Sequence, residues 1–143
     1  MMPEVLLYSR RENEVQRQAG LNWGFSDGHV NVADAYIALN LSFFRENQYF
    51  FPSHGTTINV IWDDGVMMTC SLEGTQQIDG ETYPKQISTY NDKSILGMYL
   101  RNRIAVSNTH RVTRRDLQAY GRESVHVTFD AEDDTFYFDF SVI

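Results

Sequence analysis

The sequence holds a single cysteine, Cys70, among 143 residues. One thiol excludes an internal disulfide and any cysteine-based zinc site. Alternation places Cys70 in a strand, where a free cysteine behaves as a small buried hydrophobe. Proline is scarce too, at three residues, and no low-complexity tract occurs, so disorder is expected only at the termini. No apolar run approaches the roughly 20 residues of a membrane span. The opening MMPEVLLYSRR lacks the apolar stretch of a secretory leader. These absences point to one soluble, cytoplasmic domain over residues 1–143, with no membrane partner.

Catalytic tools are missing as well. His29, His54, His110 and His126 show no i, i+4 or H-x-H spacing for a metal. His110 is followed by Arg111 and Val112, so the H-x-K pattern of phospholipase-D-type nucleases fails at the lysine. The DGETYPK stretch at residues 79–85 has the wrong Glu-to-Lys spacing for a metal nuclease and sits in a turn-like loop. Asp130, Glu132, Asp133 and Asp134 share a loop too short for an EF-hand, without its glycine or distal glutamate. No G-x-S-x-G, Walker loop or dinucleotide fingerprint occurs. The chain is therefore read as non-catalytic, with no metal and no cofactor.

What the sequence does have is segregated charge. The net charge is -7, yet residues 93–122 hold seven cations: Lys93, Arg101, Arg103, Arg111, Arg114, Arg115 and Arg122. Asp116 is the one acid among them. Residues 123–143 carry six acids and no lysine or arginine. Such segregation allows a local positive field on an acidic molecule, the footprint of a polyanion-binding face.

Strand periodicity dominates the rest. Val125, Val127 and Phe129 alternate with polar residues, as do Phe136, Phe138, Phe140 and Val142, and the link at residues 131–134 makes the two runs a hairpin. Ile58, Val60 and Trp62 lead into Asp63-Asp64-Gly65, and Val66, Met68, Cys70 and Leu72 lead out, which predicts a second hairpin. Helices are expected over residues 41–51, from Asn40 or Ser42 to Pro52, and over 94–104 with a broad apolar face that Arg101 and Arg103 leave. Thr113 and Asp116 form a capping-box pattern opening a short helix that stops at Gly121. Two long stretches, near residues 16–35 and 74–90, have neither period, and loops of that length are usually functional. The plan is mainly β: an antiparallel barrel with two or three short helices and two elaborated arms.

Three segments in register carry a resemblance to a known family. AGLNWG with AYI (residues 19–24 and 35–37) resembles the "SGLNWG … AYI" signature of the DNA-recognition domain of NgoFVII-type restriction endonucleases. SILGMYLRNRI (94–104) resembles its "SILGxYxRxRL" helix, and VTRRDLQAYGR (112–122) its "VTxxDLxxYGR" element. Order and spacing fit from about residue 4 to 140. The resemblance implies a B3-like, seven-stranded open pseudobarrel, as in plant B3 transcription factors, whose two arms grip the major groove of double-stranded DNA. In that family the module accompanies a phospholipase-D-type nuclease, so a nuclease domain or subunit is an implied partner. One departure is visible: residues 25–34 contain no arginine or lysine where relatives carry arginines or a Gln-Arg pair. Either the target differs or DNA binding is weakened.

On that reading cations meet phosphates and neutral or acidic side chains read base edges. Lys93, Arg103, Arg111, Arg114 and Arg115 are the phosphate candidates, while Arg101 and Arg122 are open between that role and internal pairing. In the first arm Ser26, Asp27, His29 and Asn31 would contact bases. In the second, Gln76, Gln77, Asp79, Tyr83, Lys85 and Gln86 would do so. Asn and Gln suit adenine, Asp27, Asp34, Asp79 and Glu81 suit cytosine N4, and His29, Tyr83 and Lys85 suit guanine or phosphate. Trp23 is expected to anchor the first arm by packing. The alternative is a barrel with lost or altered DNA binding, acting as a small-ligand or protein-interaction module.

Overall fold

The computed structural model describes residues 3–142. Both expected hairpins form. β3 (Thr57–Trp62) and β4 (Met67–Glu73) set Ile58 opposite Cys70 and Ile61 opposite Met67. Gly65, at φ +89°, supplies the left-handed turn position that a side chain would resist. β8 (Ser124–Asp130) and β9 (Thr135–Asp139) pair from Asp130–Thr135 to His126–Asp139. β9 stops at Asp139 rather than Val142, because the Asp139 carboxylate accepts the Ser141 N–H at 2.8 Å and hydroxyl at 2.6 Å and turns the chain. Val142 is consequently exposed.

Three further strands build the sheet, β1 (Glu4–Leu6), β2 (Ile37–Ala38) and β7 (Gln86–Thr89). A parallel pairing of β3 with β9, Val60 opposite Phe136, joins the two hairpins. The order is β1-β8-β9-β3-β4-β7-β2, a nearly closed sheet whose seam lies between the edge strands β1 and β2. Trp62, Leu72, Ile87, Val125, Val127, Phe136, Phe138 and Phe140 fill its interior. Burial pushes the Cys70 thiol up to about 12, as expected of a packing residue.

The helices are shorter than their patterns. α1 (Leu41–Glu46) opens at Asn40, whose side chain accepts the Phe43 N–H, and closes at Asn47 rather than at Pro52. Tyr49 then takes φ +58°, which ends helical geometry, and Phe51 turns in to stack on Phe136 at 5.2 Å. α2 (Ser94–Arg103) buries Leu96 and Leu100, but it also buries Arg101 and leaves Ile95 exposed. α3 (Arg114–Tyr120) has the full capping box between Thr113 and Asp116 and ends on Gly121 at φ +113°. Burial opposes the Asp116 carboxylate, but hydrogen bonds from Thr113 and His110 hold its pKa below the usual range. Among the described residues no helix is long and apolar enough to cross a membrane.

The aperiodic stretches become the two arms. The first, residues 7–36, contains a 3-10 turn, Gly20–Phe25, and one isolated bridge, Ser9 with Glu14. The second contains a small hairpin, β5 (Gln76–Ile78) with β6 (Glu81–Tyr83), turning through Asp79 and Gly80 at positive φ. β2 and β7 pair antiparallel, Ile37 opposite Ile87 and Ala38 opposite Gln86. The first arm enters β2 at Ile37 and the second enters β7 at Gln86, so the arms join this edge pair from opposite ends.

α2 seats the first arm closely. A Cβ on Gly97 would lie 1.6 Å from the Ala33 carbonyl oxygen, with the Ala35 methyl also in the way. Gly97→Ala should therefore shift the arm or α2 and destabilise the protein by about 1–3 kcal/mol, the usual range for overpacking. Asn102→Ala, exposed on the same helix, should change stability by less than about 0.5 kcal/mol. Denaturant unfolding of the two variants distinguishes the steric effect from a general helix effect.

Candidate nucleic-acid interface

The base of the first arm is a buried polar network. Asn22, fully buried, donates to the Gln16 and Val112 carbonyls, both at 2.8 Å, and accepts the Val112 N–H at 2.8 Å. Arg101, 1 % exposed, donates to the carbonyls of His110 (3.0 Å), Leu21 (3.0 Å) and Gly97 (3.3 Å) and to the Asn22 Oδ1. No carboxylate pairs with it among the described residues. Burial lowers its pKa, and a guanidinium with five N–H groups is the side chain able to serve acceptors on several sides at once. The network ties the arm to α2 and to the loop that presents Arg111.

Beyond that base the arm is braced along its length. Trp23 packs edge-on against Tyr36 at 5.3 Å and His29 at 4.5 Å. His29 Nδ1 lies 2.8 Å from Asp34, with both side chains largely buried, so the pair shapes the arm. The Ser26 hydroxyl donates to the Trp23 carbonyl at 2.7 Å. Asn31 Oδ1 accepts the Ala33 N–H at 2.9 Å, and both Asn31 and Asp27 are exposed. Val30, beside them, is fully exposed.

The second arm divides similarly. Tyr83, 3 % exposed, stacks on Phe44 at 4.6 Å and belongs to the core, so its hydroxyphenyl ring is not presented to a ligand. Gln76 donates its amide to the Leu39 and Pro84 carbonyls at 2.6 and 2.8 Å, fastening the arm beside β2. Gln77, Asp79, Glu81 and Lys85 are exposed and Gln86 is half-buried.

The cationic block changes meaning once folded. Lys93 bonds Glu73 at 2.7 Å and the Ser88 hydroxyl at 2.9 Å. Arg103 is held by Asp63, Tyr99, Tyr120 and the Phe140 carbonyl. Burial opposes its charge, but the hydrogen bonds to Asp63, Tyr120 and Tyr99 prevail and raise its pKa. Arg114 bonds Glu123, Asn13 and Tyr8, and Arg122 bonds the Ser141 carbonyl and Asp139. With Arg101, five of the seven cations are thus engaged internally. Arg111 and Arg115 form no ion pair among the described residues, and neither do Arg10, Arg11 and Arg17.

These last three are residues that the charge pattern missed, because Glu12 and Glu14 between them hide the excess along the sequence. Folding brings the Arg17 backbone to the block. Arg111 lies 4.4 Å over the Phe25 ring and donates to the Arg17 carbonyl. Arg114 fastens residues 13 and 14 to the start of α3, beside Arg115. Arg10 and Arg11 also line a cleft of about 340 Å³ along the seam, between residues 6–11 and 36–42. Among the described residues no group of three His, Cys, Asp or Glu side chains is placed to hold a metal ion.

Arg101→Met should cost about 3 kcal/mol, because it strands buried acceptors without a donor. Arg101→Lys should recover only part of that loss, since one ammonium cannot reach acceptors on every side. Chemical denaturation measures both, and a Lys variant as stable as the parent would show that the guanidinium geometry is unimportant.

The model of the NgoFVII C-terminal B3-like DNA-binding domain matches residues 3–132. No curated protein matches the chain.

Proposed function

The chain belongs to the NgoFVII C-terminal B3-like DNA-binding domain family, and from that membership we propose that it recognises duplex DNA by sequence, with its two arms in the major groove. The observation that carries this reading is that both long arms lead into the β2–β7 edge pair, on a protein whose Arg111 and Arg115 form no ion pair among the described residues. Phosphate contacts fall to Arg111 and Arg115, joined by Arg10, Arg11 and Arg17. Lys93, Arg103 and Arg114, held by protein partners, shape the surface from within. Base edges are read by Asp27 and Asn31 on the first arm and by Gln77, Asp79, Lys85 and Gln86 on the second. Ser26, His29, Gln76 and Tyr83 support those readers. The domain acts without chemistry of its own, in the cytoplasm, and serves a nuclease domain or subunit that cleaves.

Two features of this division are measurable. Log K should fall with log salt by about 0.9 for each phosphate contact. Five contacts predict a slope near −4 to −5, and Arg111→Ala with Arg115→Ala should flatten it by about 2 without altering sequence preference. An undiminished slope in the double variant would remove these arginines from the backbone contacts.

Selection from random duplexes supplies the site for the second measurement. Asn31→Ala or Gln77→Ala should weaken the selected duplex by about 1–3 kcal/mol while sparing a scrambled one. Should both leave the ratio of the two affinities intact, the arms do not read sequence. The purified chain should leave either duplex uncut with or without Mg²⁺, and cleavage abolished by a point substitution would overturn the non-catalytic assignment.

A further inference from the structure

Val30 has a relative exposure of 102 %, so it makes no packing contribution to the folded chain. A single exposed apolar residue is ordinary on a protein surface. Its setting here is not, because the turn that carries it is braced from several directions. Gly24 donates to the Asp34 carbonyl at 2.8 Å, and Asp34 donates to the Asn31 carbonyl at 3.1 Å. His29 is bonded to Asp34 and packed on Trp23, and the Asn31 side chain caps the Ala33 N–H. Ala33 and Ala35 are buried beneath, against Gly97. Gly28, at φ +90°, lets the chain turn just before the tip. The tip therefore holds a stiff, β-branched side chain in water at a fixed position.

Charge restricts what such a tip can meet. Residues 25–34 contain Asp27 and Asp34 but no lysine or arginine. Asp34 is bonded to His29, so the acid presented near the tip is the exposed Asp27. The cation against this segment, Arg111, lies at its start, over Phe25. The uncharged and acidic tip itself is better suited to base edges than to phosphates. The major-groove edge carries one apolar feature, the C5-methyl group of thymine, which 5-methylcytosine also presents. Asp27 and Asn31 flank Val30 with an acceptor and an amide suited to the neighbouring polar edges.

Resting on the DNA-recognition reading above, we propose that Val30 is a specificity-determining residue that receives the C5-methyl group of a pyrimidine in the major groove. The methyl group then fills the space beside the isopropyl group, and the adjoining polar side chains fix the register.

The test uses the full chain and the duplex obtained by selection. Each thymine is replaced singly by deoxyuridine, which removes only the methyl group, and each cytosine singly by 5-methylcytosine, which adds it. For the parent protein, one thymine-to-uracil change should weaken binding about fourfold, the equivalent of one buried carbon. For Val30→Ala that same change should have no effect, while affinity for a scrambled duplex and thermal stability stay at parent values. A gain at one 5-methylcytosine that Val30→Ala abolishes would support the same contact and identify modified cytosine as its source. Equal methyl dependence in parent and variant, or none in the parent on a duplex it binds specifically, would overturn the assignment of Val30 alone. Absence of any selected duplex and of salt-dependent binding would overturn the DNA-recognition reading and this inference with it.

Discussion

A buried guanidinium with no carboxylate partner among the described residues organises this protein. Arg101 leaves α2 and donates to carbonyls from three separate places in the chain, Leu21, Gly97 and His110. Such a charge is tolerable only where hydrogen-bond acceptors replace the lost water. Asn22 completes the arrangement by bonding the Gln16 and Val112 backbones, and the described residues leave no buried side-chain nitrogen or oxygen unpaired. The two side chains place the root of the first arm, the helix beneath it and the loop bearing Arg111 in one rigid relation. The position of the tip depends on this network, since the arm has no strand pairing of its own beyond a single bridge, Ser9 with Glu14.

The same economy of roles explains the motifs. Asn22 and Gly24 of the first segment, Gly97 and Arg101 of the second, and Thr113, Asp116 and Arg122 of the third all hold backbone in place. Gly24 leaves no room for a side chain, because its Cβ would fall 2.4 Å from the Val32 carbonyl group. The segments that identify the family are thus its scaffold, and the proposed readers lie between them, at tips where side chains make few internal contacts. A loop carried on a rigid frame can change its surface chemistry without changing its position.

Charge illustrates the limit of linear patterns. Lys93, Arg103 and Arg122 each meet an acid from another element, Glu73, Asp63 and Asp139, while Arg114 meets Glu123 and the remote Asn13 and Tyr8. Proximity along the sequence groups them as a cationic block, whereas the fold pairs them off. Arg10, Arg11 and Arg17 behave in the opposite way. They sit among glutamates in the sequence, yet Glu14 is turned to the Arg114 and Val15 N–H groups, Arg111 bonds the Arg17 backbone, and Arg10 and Arg11 line the cleft at the seam.

Local order was legible from residues alone wherever it rests on short-range periodicity or turn chemistry. Both hairpins, the Asn40 cap, the Thr113–Asp116 capping box and the Gly121 stop all rest on neighbours within a few residues. So does the presence of two arms, because a long stretch without period has few other uses in a compact fold. The three motifs carried the family and the seven-stranded plan. The tertiary structure decided which side chains are free. β2 has two residues and β5 and β6 have three each, too few to display alternation, and β3 meets β9 across about half of the chain. Tyr83, Gln76, Lys93, Arg103 and Arg114 have the chemistry of contact residues, but their surroundings come from residues remote in sequence. Availability to a ligand is a property of packing, and packing is assembled from contacts that no local window contains.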